Sequence, residues 1–230
     1  MASIERTAYP RFKRYYTLAE LTEIYTPTPK EIAFALGVSQ GEANYLSMMV
    51  LLKVFQRLGY FPKLADISFQ IINHIQSFLK IPEQINLNKI NPRTLSRQKI
   101  AIRSQLNVSS YNDQADQLVK QMVFQSALVM DNPADLINVT IEELVKERYE
   151  LPPFLTLDRL VCHLRNQVNQ QLFSEVTSQL SLEEQERFNE LLNSHSNRER
   201  SFYNDLKKLP KRSSRNHLND LLIHLTWLET

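Results

Sequence analysis

Apolar residues recur at steps of three and four along most of the chain. Downstream of Thr156 the residues Leu157, Leu160, Val161, Leu164, Val168, Leu172, Val176 and Leu180 fall on one stripe of a single long helix. The LPPF run at 151–154 stops the preceding helix, and Thr156 is placed to cap the new one. Ser181-Leu-Glu-Glu184 reads as a capping box opening another helix, with Phe188, Leu191 and Leu192 on its inner side. A last helix is expected from about Ser213, turning Leu218, Leu221, Leu222, Leu225 and Leu228 inward. The same period governs the first half, where helices are predicted over 18–25, 29–36, 42–58 and 67–79, then over about 95–105, 112–130 and 133–148. The proline- and asparagine-rich stretch KIPEQINLNKINPR separates the two groups as a linker. No segment sustains a period of two. The pattern predicts an all-α protein: two helix-turn-helix-like modules over 1–82 and 83–152, followed by a long-helix scaffold over 153–230.

Composition narrows this further. Gly37, Gly41 and Gly59 are the only glycines, too few for the tight turns of a β-sandwich or barrel, and neither GxGxxG nor GxxxxGK[ST] occurs. Cys162 stands alone, so no intrachain disulfide is possible and a reducing cytosol suits the chain. The apolar run at 46–55 is interrupted by Ser47 and Lys53 and is far too short to span a membrane. The start, MASIERTAYPRFKRYY, lacks the apolar core of a secretory signal. The acidic neighbours Asp113 and Asp116, Glu142 and Glu143, and Glu183 and Glu184 all lie on predicted amphipathic helices as solvated faces. The five histidines are scattered, and Cys162-His163 has no partner pair at zinc spacing. Accordingly no catalytic residue, metal ligand or cofactor is expected of this chain by itself.

Charge is unevenly distributed. The net charge is only +2, yet residues 1–110 hold 14 Lys/Arg against 7 Asp/Glu, residues 111–196 hold 6 against 14, and residues 197–230 hold 7 against 4. A basic first half suits a polyanion. Within it, PKEIAFALGVSQGEANYL at 29–46 has the makings of a helix-turn-helix. Ala33 would lie at the helix crossing, Gly37 in the left-handed turn, and Leu46 on the inner face of the second helix. The echo LNVSSYNDQADQL at 106–118 substitutes Asn107 for that glycine. Three groups of residues become candidates for DNA contact. Arg11, Lys13 and Arg14, interleaved with tyrosines and Phe12, form an arm for a phosphate backbone or minor groove, or else a segment docked by its aromatics. The turns offer Lys30, Ser39, Gln40, Asn44 and Tyr45 in one copy, and Arg93, Arg97, Lys99, Arg103, Ser109, Ser110 and Asn112 in the other. A basic loop at 207–215 adds Lys207, Lys208, Lys211, Arg212 and Arg215. Met48 to Phe55 is too apolar to lie in a groove, so only the first turn of that helix would meet DNA.

Read as continuous text, YTPTPKEIAFALGVSQGEANYLSMMVLLKVFQRLGYFP, SRQKIAIRSQLNVSSYND, ELPPFLTLDRLVCHLRNQVNQQLF with LSLEEQERFNELL, and SFYNDLKKLPKRSSRNHLNDLLIHL resemble, in order, the amino-terminal region of the Tn-three family of replicative transposases. The sequence departs from that family at Asn44–Tyr45, where asparagine-arginine is commoner. The resemblance implies sequence-specific binding of double-stranded DNA at transposon terminal inverted repeats, in a bacterial cytoplasm and at its nucleoid. It also implies that strand transfer, with a divalent metal such as Mg, belongs to a separate downstream domain, which would be this chain's partner; a homodimer is a further option. Two other readings stay open: a stand-alone DNA-binding regulator or transposition inhibitor, and a helical protein-interaction adaptor whose turns are mere corners.

Overall fold

The computed structural model describes residues 3–82, 85, 87–192, 203–204, 207 and 214–229. They form helices: α1 (Leu18–Tyr25), α2 (Pro29–Val38), α3 (Glu42–Leu58), α4 (Phe69–Phe78), α5 (Pro92–Leu106), α6 (Asp113–Ala127), α7 (Pro133–Lys146), α8 (Phe154–Gln179), α9 (Leu182–Leu192) and α10 (Arg215–Glu229). Among the described residues there is no strand, only an isolated parallel bridge between Ser109 and Tyr149. The fold is all-α. The chain divides into two compact units, 1–169 and 170–230, so the first unit takes in both stretches read above as modules.

Helix starts are set by short polar side chains. Thr17 and Thr28 each accept a hydrogen bond from the backbone of Glu20 and Glu31, whose carboxylates accept in return from the capping threonine's backbone N–H. Asn91, Asn112 and Asn132 cap α5, α6 and α7 by accepting from the N–H groups of Arg93, Ala115 and Ala134. Pro92 and Pro133 follow two of these caps, where a missing N–H costs nothing.

At the centre of the first unit is α3. Every residue from Leu46 to Phe55 is buried, and α1, α2, α4 and α5 all pack against this helix. Even its lysine is enclosed: the side chains of Lys53 and Glu31 are 9% and 15% exposed, with Lys53 Nζ 3.4 Å from the carboxylate. Gln56 donates to the same carboxylate at 2.7 Å. Burial works against the charge on Glu31, but the N–H of Thr28, the Gln56 amide and Lys53 outweigh it and hold the pKa below the usual carboxylate range.

Two expected features of the first turn are placed elsewhere. Ala33 is exposed, and the small buried residue where α2 packs on α3 is Ala35. Gly37 continues α2, and the positive φ of the turn falls on Gly41, at +82°, immediately before α3. An alanine one turn-fraction away presents a different face, and a helix tolerates an interior glycine at a cost of only about 1 kcal/mol. In the echo, Asn107 does adopt the left-handed conformation, at φ 54°, and closes α5.

The amino-terminal segment lies along the first unit, fastened by aromatics. Buried Tyr9 donates its hydroxyl to the Pro152 carbonyl at 2.8 Å and packs on Tyr60 and Phe154, with ring centroids 5.3 and 5.4 Å apart. Tyr16 meets Tyr25 edge-on at 5.5 Å. Burial pushes the Tyr9 hydroxyl well above its ordinary pKa, so it is a neutral donor at any working pH. Replacing Tyr9 by phenylalanine should keep the packing yet lower unfolding free energy by about 1–2 kcal/mol, since the Pro152 carbonyl loses its partner. Urea denaturation of the variant measures this directly, and an unshifted midpoint would make the bond worthless.

Gly59 ends α3 with φ 71°, and its carbonyl accepts from Leu151 N–H at 2.9 Å. Beside it the bridge pairs Ser109 N–H with the Arg148 carbonyl and Glu150 N–H with the Ser109 carbonyl, both at 2.8 Å. The segment after α7 is thereby held to the end of α3 and to the turn after α5.

The long stripe of α8 is buried at Leu157, Val161 and Val168 and exposed at Val176. Its first helical residue is Phe154, so Thr156 sits exposed inside the first turn rather than capping it. The capping box of α9 forms as expected: Glu184 accepts from Ser181 N–H at 2.7 Å and its own N–H reaches Ser181 Oγ at 3.3 Å. The inner faces expected for α9 and α10 differ. Phe188 and Leu192 are exposed, as are Leu218, Leu221, Leu222 and Leu225, while the side chains of Leu191 and Leu228 lie outside the described set. Helical period fixes which residues share a face; it does not supply anything to cover that face.

Candidate nucleic-acid interface

The charges of the basic arm are partly committed. Arg11 reaches Glu5 at 3.7 Å, and Lys13 donates to Glu20 at 2.6 Å. That ammonium, with the Thr17 N–H, lowers the Glu20 pKa to about 2. Arg14 is exposed and pairs with no described residue, beside Tyr15, which is 82% exposed.

Around the first turn, Lys30, Gln40 and Glu42 are exposed. The polar groups nearby are largely committed. Asn44 Nδ2 donates to the Gln40 carbonyl at 2.9 Å, Tyr45 is half-buried against the core, and burial raises its pKa. Ser39 Oγ is buried and finds no hydrogen-bond partner among the described residues. The Asn44 carbonyl also accepts from Gln98 Nε2 at 2.7 Å, while Ser47 Oγ lies 2.9 Å from Gln98 Oε1. Gln98, on α5, is thus a buried polar rivet between α5 and the first turn of α3.

The four basic residues of α5 split into two pairs. Lys99 and Arg103 gather at Phe61, with Nζ 5.4 Å and Cζ 5.8 Å from the ring centroid. Arg103 also holds Glu150 at 2.8 Å, with both side chains mostly buried. A phosphate could take Arg103 only by displacing Glu150. Arg93 and Arg97 are exposed and pair with no described residue. They share the outer face of α5 with Ser96, Ile100 and Ser104, opposite buried Gln98 and Ile102. The whole helix contains no acidic residue.

Ser109 and Ser110 are exposed, but Ser109 has its backbone in the bridge to Tyr149. Asn112 is occupied as the cap of α6, whose first turn carries Asp113 and Asp116. That acidic turn repels phosphate, in contrast to α5. In the last group, Lys207 lies 4.0 Å above the Tyr203 ring and Arg215 opens α10 as an exposed residue. Lys208, Lys211 and Arg212 fall outside the described residues.

Of the residues singled out in the sequence, then, the fold brings together Arg93 and Arg97 on one helix face, without a partner among the described residues, and turns Lys99 and Arg103 inward. Ser96, Ile100 and Ser104, absent from the candidates the turn motifs offer, lie on that same face. A helical projection from Pro92 would have found them, together with the absence of any acid from 92 to 106. No three His, Cys, Asp or Glu among the described residues gather as a metal site, and none of the described helices is long and apolar enough to cross a membrane.

These features define an all-helical protein that displays an acid-free basic helix on a unit built around one buried helix. The chain belongs to the DUF4158 family, a domain of unknown function, whose model matches residues 1–164. The match lies within the first compact unit. No curated protein matches the chain.

Proposed function

We propose that this chain binds double-stranded DNA sequence-specifically, as the end-recognition part of a Tn-three family transposase acting at terminal inverted repeats. The observation that carries the proposal is the outer face of α5, where Arg93 and Arg97 pair with no described residue and the helix itself holds no carboxylate. The net +7 of residues 1–110 supports it, and so does the ordered resemblance of the chain to that family. Cleavage and joining would fall to a separate metal-dependent domain, with this chain placing the DNA ends in a bacterial cytoplasm.

The test is fluorescence-anisotropy titration of the chain with a duplex carrying the inverted repeat of its element, and with a scrambled duplex, across a salt series. Binding tighter to the repeat by ~4 kcal/mol or more, with a steep salt slope, is expected. Equal and weak binding to both would leave an adaptor role instead. Arg97→Ala should weaken both duplexes by a similar factor and reduce the salt slope by about one. Arg103→Ala should act chiefly on stability, because its ion pair to Glu150 is the interaction lost.

A further inference from the structure

We propose that the outer arc of α5, rather than the turn that follows it, enters the major groove, with Ile100 set against thymine methyl groups on the groove floor. This deepens the DNA-binding reading above and rests on it.

At 3.6 residues per turn, Arg93, Ser96, Arg97, Ile100 and Ser104 span an arc of about 100°, and the stretch from Arg93 to Ser104 is roughly 16 Å long. The opposite side, Gln98 and Ile102, is buried against the core, so this arc is the one that faces outward. A helix of this girth fits a major groove about 12 Å wide. The side chains are graded for such a fit. The two arginines are long enough to reach the phosphate walls from the groove. Ser96, Ile100 and Ser104 are short, so they touch base edges only if the helix is seated deeply.

Ile100 distinguishes this arrangement from a surface that merely follows phosphates. It is 58% exposed, in the middle of a basic polar arc, while the isoleucine two residues on fills the core side. A phosphate-binding face gains nothing from an apolar side chain. The major-groove floor does offer an apolar partner, the C5 methyl of thymine. Because isoleucine is branched at Cβ, its rotamer is already restricted, and little entropy is lost when it is seated.

Two neighbouring surfaces fit the groove less well. The first turn of α6 carries Asp113 and Asp116, and α3 is buried from Leu46 to Phe55. Of these three helices, α5 is the one with both the charge and the exposed arc for the task.

The experiment is a thermodynamic cycle on the full chain. A preferred duplex is selected from a randomised pool, then each thymine is replaced singly by uracil, which deletes only the methyl group. For the wild-type chain, uracil at one or two adjacent positions should lower affinity about three- to fivefold, the worth of one methyl leaving water. For Ile100→Ala, the same uracil substitutions should have no effect, while the urea midpoint stays at the wild-type value. An Ile100→Ala chain that still senses every methyl group, or a wild-type chain indifferent to all of them, would overturn the assignment of α5 while leaving DNA recognition standing. A pool from which no sequence is enriched would overturn both.

Discussion

A lysine in place of Met49 is expected to unfold the first unit at neutral pH, whereas a lysine in place of Ile100 should change its stability by no more than about 0.5 kcal/mol. Met49 has no exposed surface and lies mid-way along α3 among other fully buried residues. A lysine there has no described carboxylate in place to meet it, since Glu31 already serves Lys53 and Gln56. An isolated buried ammonium costs several kcal/mol even after its pKa falls, which is comparable to the stability of a whole domain. Ile100 has its side chain in water already, and a lysine at that position joins a face with no acid and no core contact to lose. Far-UV circular dichroism with urea titration separates the two outcomes. A Met49→Lys chain that melts like wild type would mean that α3 lies at the surface and is free to enter a groove.

Glu31→Ala should be the costliest single change among the charged residues, at about 3–5 kcal/mol. It removes three things together: the reciprocal cap on α2, the acceptor for Gln56, and the counter-charge of an enclosed lysine. The third dominates, because Lys53 is left charged in a site that is 9% open. The double variant Glu31→Gln with Lys53→Met should recover most of the loss, since glutamine still accepts from the Thr28 N–H and methionine fills the lysine's volume. Acid sharpens the test. The folded pKa of Glu31 is depressed, so its stabilisation is complete above the ordinary carboxylate range and disappears as pH falls through the lowered value. The gap between wild type and Glu31→Ala should therefore narrow below about pH 4. A gap under about 1 kcal/mol at pH 7, or one that widens in acid, would remove the pair from the stability of the fold.

How much of this could be read from the sequence depended on range. Helix period and local caps act within four residues, and the positions of α1, α3 and the Ser181 capping box follow from them closely. The left-handed Asn107 was legible for the same reason: asparagine tolerates that conformation and ends an apolar period. Gly37 against Gly41 was not, because two glycines four residues apart offer the same freedom and only the length of α2 decides between them. Long-range pairing was invisible. Nothing near Arg103 announces Glu150, and nothing near Tyr9 announces Pro152, yet the first contact takes a cation out of play and the second fastens the amino-terminal segment. The exposed arc of α5 lies in between: the periodic pattern contains it, but the turn motif does not extend to it.

The docking of Tyr9 on Pro152 and Phe154 also dictates an order of events during synthesis. Its partners lie 143 residues or more further on, so a segment made well before them is among the last to find its place. At about 5–20 residues per second, roughly 7–30 s pass before they have been made. During that interval α3 can gather α1, α2 and α4 around itself, all encoded before residue 79, while Tyr9 and Tyr60 wait for Phe154. Closure of the first unit is thus a late, non-local step, and a nascent chain halted before residue 152 would hold its apolar centre without its clasp.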